Sequence, residues 1–230
     1  MPPLDAPPSL PHPAAADLSV TERSRLRRNH KRGHFDRTTI DAILDATFQC
    51  HVGYVLDGRP MVTPTFQWRE GDHVYWHGSS ASRFLRHSEG AEVCLTVTLM
   101  DGVVLARSAM HHSLNYRSVI LFGPATKVTD PTEKARHLEQ FVEAICPGRW
   151  ATLRPISDQE VKATTILSMP ITEGAAKIRT GPPVDDEEDY QLPIWAGVVP
   201  LTRSFGVPMP DPRNLPGVEP PEGLLSTLKI

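Results

Sequence analysis

Prolines crowd both ends of this chain and thin out between them, and that distribution limits what can fold. Residues 2–13 hold six prolines, and the stretch from Pro182 to Pro221 is similarly broken. Each proline fixes a dihedral and removes a donor, so neither end supports long regular structure. The expected organisation is a proline-rich disordered tail over 1–22, one domain over 23–205 and a proline-rich tail over 206–230. The C-terminal stretch also carries LPIWAGVVPL, too apolar to float free. It is expected to pack on its own domain or on a partner subunit.

Between the tails, short apolar runs alternate with turn signals. Asp36 is placed to cap a helix whose Ile40, Ile43, Leu44 and Phe48 fall at helical spacing. CHVGYVL, a DGRP turn and MVTPTFQW read as a hairpin, and Gly71-Asp72 turns the chain into HVYWHG. A short helix follows from about Ser82 to His87, with Gly90 suited to its end. EVCLTVTLMDGVVLARSAM reads as two strands around Asp101-Gly102, a strong hairpin signal. NYRSVILFGPATKVT reads as a strand. Asp130, Pro131 and Glu133 open a helix with Leu138, Phe141, Val142 and Ile145 as its buried stripe, stopped at Pro147-Gly148. Ser157 to Glu160 is a capping box ahead of two more strands, TTILSMPITE and AAKIR. Six or more strands joined mostly by hairpins, with a few helices inserted, predict a mainly β protein, an antiparallel barrel. Several strands are apolar on both faces, which suits a wall covered outside by helices or by a second subunit.

Composition narrows the function. The chain has 230 residues, 40% hydrophobic and 22% charged, enough for a buried core. A formal net charge of −3 argues against a surface built throughout for nucleic acid. The first twenty residues lack the basic start and apolar centre of a secretory signal, and no apolar run approaches a membrane span of ~20 residues. Cys50, Cys94 and Cys146 are too few and too scattered for a disulfide framework or a zinc site, so the expected compartment is the reducing cytoplasm. No catalytic triad, carboxylate pair, GxGxxG or P-loop stands out.

Two polar clusters exceed what a plain barrel needs. HGSSASRFLRH, from His77 to His87, runs from a strand end through Ser79, Ser80 and Ser82 into a helix with Arg83 in its first turn. Such a start offers donors and positive charge to a phosphate; taken alone, a serine-capped helix with a surface arginine is the more ordinary explanation. The second cluster packs seven polar residues into the eight positions from His111 to Ser118, ahead of VILFG. Strand alternation points Asn115 and Arg117 one way, Tyr116 and Ser118 the other. A ligand lodged in a subunit interface would satisfy both faces, as would a solvated strand mouth. The basic run from Arg23 to Arg32 fits an acidic partner or a solvated segment. His111 and His112 are adjacent, so on a strand they diverge and make a poor metal pair; no metal site is expected.

With these residues in place, the chain resembles the pyridoxamine phosphate oxidase-like, FMN-binding split barrels, in particular the flavin-nucleotide-binding, nitroimidazole-resistance-related branch. The resemblance spans about residues 23–205 and rests on RGHFDRTTIDAILDATFQCHVGYVLDGRPMVTP, YWHGSSASR, CLTVTLMDGVVLARSAMHHSLNYRSVILFG, PGRW, AAKIRTGPP and WAGVVPL in that order. It implies a six-stranded split barrel forming a homodimer with FMN at the subunit interface. By that resemblance Met61 to Thr65 (Val62, Thr63 and Pro64 among them) run beside the flavin ring. His77, Gly78, Ser79, Ser80, Ser82 and Arg83 approach its ribityl chain and phosphate. Ser113, Asn115, Tyr116, Arg117 and Ser118 complete the pocket from either subunit, with Lys177, Arg179 and Trp195 near the cleft. The flavin carries the redox chemistry, donors near its N1 and O2 (Arg117 or Lys177) stabilise the reduced ring, and His77 is the candidate to orient substrate or donate a proton. The implied activity is hydride transfer between flavin and a small aromatic or nitro-type substrate. The pattern for pyridoxamine phosphate itself is not recognisable here. Two other readings stay open: a haem-binding or haem-degrading barrel using His111, His112 or His77, and a non-enzymatic flavin-binding or nucleic-acid-associated protein using the basic segment.

Overall fold

The computed structural model describes residues 16–228. The chain runs β1 (Gly33–His34), α1 (Arg37–Asp45), β2 (Gln49–Leu56), β3 (Arg59–Glu70), β4 (His73–Ser79) and α2 (Arg83–Ser88). It continues through β5 (Glu92–Leu105), β6 (Ser113–Pro124), β7 (Thr126–Lys127), α3 (Pro131–Ile145) and α4 (Asp158–Ala163). It ends with β8 (Thr164–Pro170), β9 (Glu173–Arg179), β10 (Gly197–Pro200) and α5 (Leu224–Thr227). All strand pairs are antiparallel, in the order β1-β9-β6-β5-β2-β3-β4-β8-β7, with β10 on β5. The ends of this sheet do not meet, so the expected mainly β split barrel is what forms; of its ten strands, β1, β7 and β10 are short.

Local signals set most boundaries. Asp36 accepts from the Thr39 amide at 2.8 Å and Asp130 from the Glu133 amide at 2.9 Å, as expected of caps. Ser157 and Glu160 close a reciprocal capping box on α4. Asp57 and Gly58 both adopt positive φ, the geometry of a tight hairpin turn between β2 and β3. Inside the barrel, Ile40, Ile43 and Leu44 of α1 are buried with Val52, Trp76, Leu95, Val97, Leu121 and Leu167. Each such side chain contributes roughly 1.5–3 kcal/mol by leaving water. Leu18, within the stretch expected as a tail, belongs to the same core, and its amide donates to Phe35 O at 2.8 Å. The prolines at 2–13 lie outside the described residues.

Two expectations need correction. Asp101-Gly102 is not a hairpin turn: β5 runs straight through it as one strand, with a bulge between Met100 and Gly102. The bulge frees Asp101 to take a two-pronged bond from Arg117 (3.0 and 2.8 Å). Glycine is required at 102 because β10 presses on it; a Cβ there would lie 2.9 Å from Val199 O. The stripe Leu138, Phe141, Val142 and Ile145 of α3 is only half-buried, and the fully buried residue of that helix is His137. Among the described residues, no helix is long and apolar enough to cross a membrane.

Candidate functional site

Strand β3 changes neighbours halfway along, and a cleft opens where it does. Arg59 to Phe66 pair with β2, whereas Gln67 to Glu70 pair with β4. The last β3–β4 pair is Gln67 with Trp76; beyond it β4 continues through His77, Gly78 and Ser79 bonded only to β8. Among the described residues, one edge of β3 is therefore unpaired from Arg59 to Phe66. Pro60 and Pro64, four residues apart, direct their nitrogens to the same edge, and the open edge is where a missing donor costs nothing. Met61 and Phe66 beside this edge are exposed, and Val62 is 65% exposed, which is costly for an apolar strand left bare.

The far wall of the cleft is the turn from His77 to Arg83. Ser82 Oγ accepts from the Leu85 amide at 3.5 Å and Ser79 Oγ from the Ala81 amide at 3.2 Å. These two serines therefore cap the turn, yet each hydroxyl keeps its hydrogen for a ligand. Ser80 and Arg83 are exposed, and Arg83 has no carboxylate partner among the described residues. Gly78 lets α2 close on the strand, since a Cβ would lie 3.0 Å from Leu85 Cδ1.

The residues expected from β6 and β9 gather elsewhere. In one chain β5 and β2 separate β6 from β3, three strand spacings or roughly 14 Å. Tyr116 faces Arg179, and Ser118 faces Lys177 across the β6–β9 ladder. Asn115 donates to Gly181 O at 3.1 Å and accepts from Arg179. Ser113 pairs with Val104. Arg117, expected with Lys177 as a candidate donor to the reduced ring, is paired with Asp101, which raises its pKa further above the ordinary value. Trp195 is 68% exposed and packs against Gly197.

Sequence reasoning singled out His77 but missed the third cluster that surrounds it. Alternation along β4 puts His73, Tyr75 and His77 on its outer face, where Trp68 from β3 and His137 and Phe141 from α3 meet them. His77 lies 4.2 Å from Phe141 and 5.8 Å from Trp68 between ring centres. Burial lowers its pKa, so the ring is neutral near pH 7, and its buried Nδ1 has no partner among the described residues. Trp68 Nε1 is likewise unpartnered. His137 sits 3.1 Å from Glu70 and beneath Tyr75; burial, then the adjacent Arg136, lower its pKa against the pull of Glu70. A cavity of about 250 Å³ reaches this layer between Leu44, Phe48, Gln67, Trp68 and Ala144. The only hint in the sequence was the spacing H-V-Y-W-H, with three rings on alternate positions. The other expected histidines lie apart: His112 Nδ1 is 2.9 Å from Ser108 O, and His111 stands 3.7 Å from the buried Asp185.

Comparison with known proteins places the chain in a family. The family model described as pyridoxamine 5'-phosphate oxidase matches residues 36–178. Among solved structures, the flavocytochrome Anf3 from Azotobacter vinelandii is 50% identical, with TM-score 0.87 over 90% of this chain and 97% of that one. The FAD and heme binding protein from Mycobacterium smegmatis is 34% identical, with TM-score 0.82 over 86% and 98%. A proposed 5-nitroimidazole antibiotic resistance protein from Bacteroides thetaiotaomicron, 23% identical with TM-score 0.53 over 64% and 86%, shares the fold. No curated protein matches the chain.

Proposed function

We propose, because this chain belongs to the pyridoxamine 5'-phosphate oxidase family, that it is a homodimeric flavin-binding redox protein that also holds a haem. The observation that carries the flavin reading is the parting of β3 from β4 beyond the Gln67–Trp76 pair. It leaves an apolar ledge at Met61 to Phe66 on one strand, and beyond the end of the other lie the hydroxyls of Ser79 to Ser82 and Arg83, which has no carboxylate partner among the described residues. A flat ring on a phosphorylated chain fits that combination, and FMN is the smallest flavin that does. When bound, the flavin would supply hydride or single-electron transfer to a small substrate, of aromatic or nitro type. The chain's own part is to grip the phosphate through Arg83 and the serine hydroxyls, to bed the ring on the β3 edge, and to exclude water. A second copy would bring the β6–β9 residues within reach of this cleft, which the ~14 Å separation within one chain prevents, and would cover Val62 and Phe66. Few residues remain for a reaction step; with flavin alone bound, His77 at the mouth of β4 is the candidate to hold or pass a proton, a role it gives up where it holds haem iron.

The haem reading rests on a separate observation. His77 presents an unpartnered, neutral imidazole between Trp68 and Phe141, beneath the half-buried apolar stripe of α3. A neutral imidazole in an apolar slot is the donor an iron porphyrin requires. It is favoured over His112, whose Nδ1 already has a carbonyl beside it. Two relatives at 50% and 34% identity, described as a flavocytochrome and as an FAD and heme binding protein, support carrying both cofactors to this chain. The setting would be the cytoplasm, with no membrane or nucleic-acid partner. An absorption spectrum after loading with FMN or FAD and with hemin tests both readings. A flavin band together with a Soret band is expected, and His77→Phe should abolish the Soret band while the flavin band stays. Protein that takes up neither chromophore refutes the function.

A further inference from the structure

Two arginines among the described residues are buried, Arg37 at 6% exposure and Arg179 at 8%, and their surroundings differ in one respect. Arg37 is neutralised by Asp41 at 3.1 Å and Asp72 at 2.9 Å. Among the described residues Arg179 has no such partner: its Nη1 donates to Asn115 Oδ1 and to Gly181 O at 3.4 Å, and its Nη2 to Pro182 O at 3.2 Å. All three acceptors are neutral. The Nε hydrogen and one Nη2 hydrogen, the side-on edge with which a guanidinium grips an oxyanion, have no protein partner among the described residues.

The neighbours add positive charge instead of cancelling it. Lys177 lies two residues back on the same face of β9, and Arg32 ends the turn that leads into β1, whose Gly33 pairs with Lys177. Neither has a carboxylate within 4.0 Å among the described residues. Burial, then the charge of Arg32, pull the Arg179 guanidinium below its ordinary pKa. Tyr116 and Ser118 stand opposite Arg179 and Lys177 on β6, and the Ser118 hydroxyl donates to Lys177 O at 3.3 Å. Farther along the same sheet face, Arg23 is tied to both Glu92 and Glu173. The lack of acid is thus local to Arg32, Lys177 and Arg179. A covered guanidinium without a counter-charge is costly, and an arriving anion removes that cost.

We propose that Arg179, with Arg32 and Lys177, forms a binding site for an oxyanion, a phosphate-type group carried by a small molecule. The anion has two candidate sources. One is a phosphate of the bound flavin, in which case this inference rests on the flavin reading; the other is a free phosphorylated or pyrophosphate-bearing molecule. The test uses the full chain with FMN, FAD and inorganic pyrophosphate as probes, in the parent, Arg179→Met and Arg32→Gln. If the flavin supplies the anion, Arg179→Met weakens FAD at least tenfold, with FMN also weakened only if its single phosphate reaches the site. If the anion is free, flavin affinities stay equal, and pyrophosphate raises the thermal midpoint of the parent but not of Arg179→Met. Arg32→Gln leaves the bonds to Gly181 and Pro182 in place and is expected to reduce the same binding three- to fivefold, which covers the case of a misfolded Arg179→Met. The pyrophosphate arm needs no flavin, so it decides the matter even for a chain that binds none. Affinities for all three probes unchanged within twofold in Arg32→Gln and in folded Arg179→Met would overturn the site.

Discussion

Gln67 sits at the last β3–β4 pair, where the two strands part, and its side chain holds that fork to α1. It is 2% exposed, and its Nε2 donates to Leu44 O at 2.8 Å and to Thr47 O at 2.6 Å. Replacing it with leucine keeps the volume close but removes both donors. Two buried bonds are worth about 1–1.5 kcal/mol each, offset in part because leucine also removes the buried, unpartnered Oε1, so Gln67→Leu should lose roughly 1–2 kcal/mol. Gln67→Glu is the sharper variant, because it points a carboxylate at two carbonyl oxygens. Each unit by which that carboxyl is forced above its usual pKa costs about 1.4 kcal/mol more at neutral pH. The assay is urea unfolding followed by tryptophan fluorescence at pH 7.5, with the order parent, leucine, glutamate expected in falling stability. A leucine variant within ~0.5 kcal/mol of the parent, or a glutamate variant no worse than leucine, would refute this account of the fork.

Other consequences are equally open to measurement. Gly102→Val places side-chain atoms against Val199 O and Pro200 Cα, so β10 should lift from β5. Hydrogen exchange should then show amides 197–199 losing protection while β6 keeps its own, and retained protection at 198–199 contradicts the packing. Burial pushes the Cys50 thiol up to about 12 and raises that of Cys94 as well. In native protein Cys50 should be inert to a disulfide reagent, with three thiols titrating after denaturation; rapid native labelling of Cys50 counts against the core assignment. His77 and His137 have folded pKa values below the unfolded value near 6.5, so below that pH the unfolded chain binds more protons. Stability should fall as pH drops through ~6.5, by at most ~1.4 kcal/mol per pH unit for each ring, and His77→Phe should flatten the profile between pH 7.5 and 5.5. An unchanged profile in that variant would mean His77 is freely protonated.

The parts of this fold that were legible depend on neighbours within a few residues. The caps at Asp36, Asp130 and Ser157 and the Asp57-Gly58 turn work through local bonds, and the sequence carries each of them whole. Asp101-Gly102 misled because the same dipeptide suits a turn or a bulge. The choice fell to Arg117, sixteen residues on, and to β10, nearly a hundred residues on. The partial burial of α3 has a similar origin: whether His137 or Leu138 faces inward depends on Glu70 and Tyr75 from β3 and β4. The candidate site divides the same way. Its motifs could be picked out one by one, but which cations stay unpaired is a tertiary property. Arg117 is quenched, and Arg179 is not.

The central claim is that two copies of this chain enclose a flavin at the split between β3 and β4. Sedimentation monitored at the flavin absorbance measures mass and occupancy together. The account predicts a single species of twice the chain mass with one flavin per chain, and flavin lost in step with dissociation on dilution. A monomer that keeps its flavin at full occupancy, or a stable dimer that never takes one up, would contradict it.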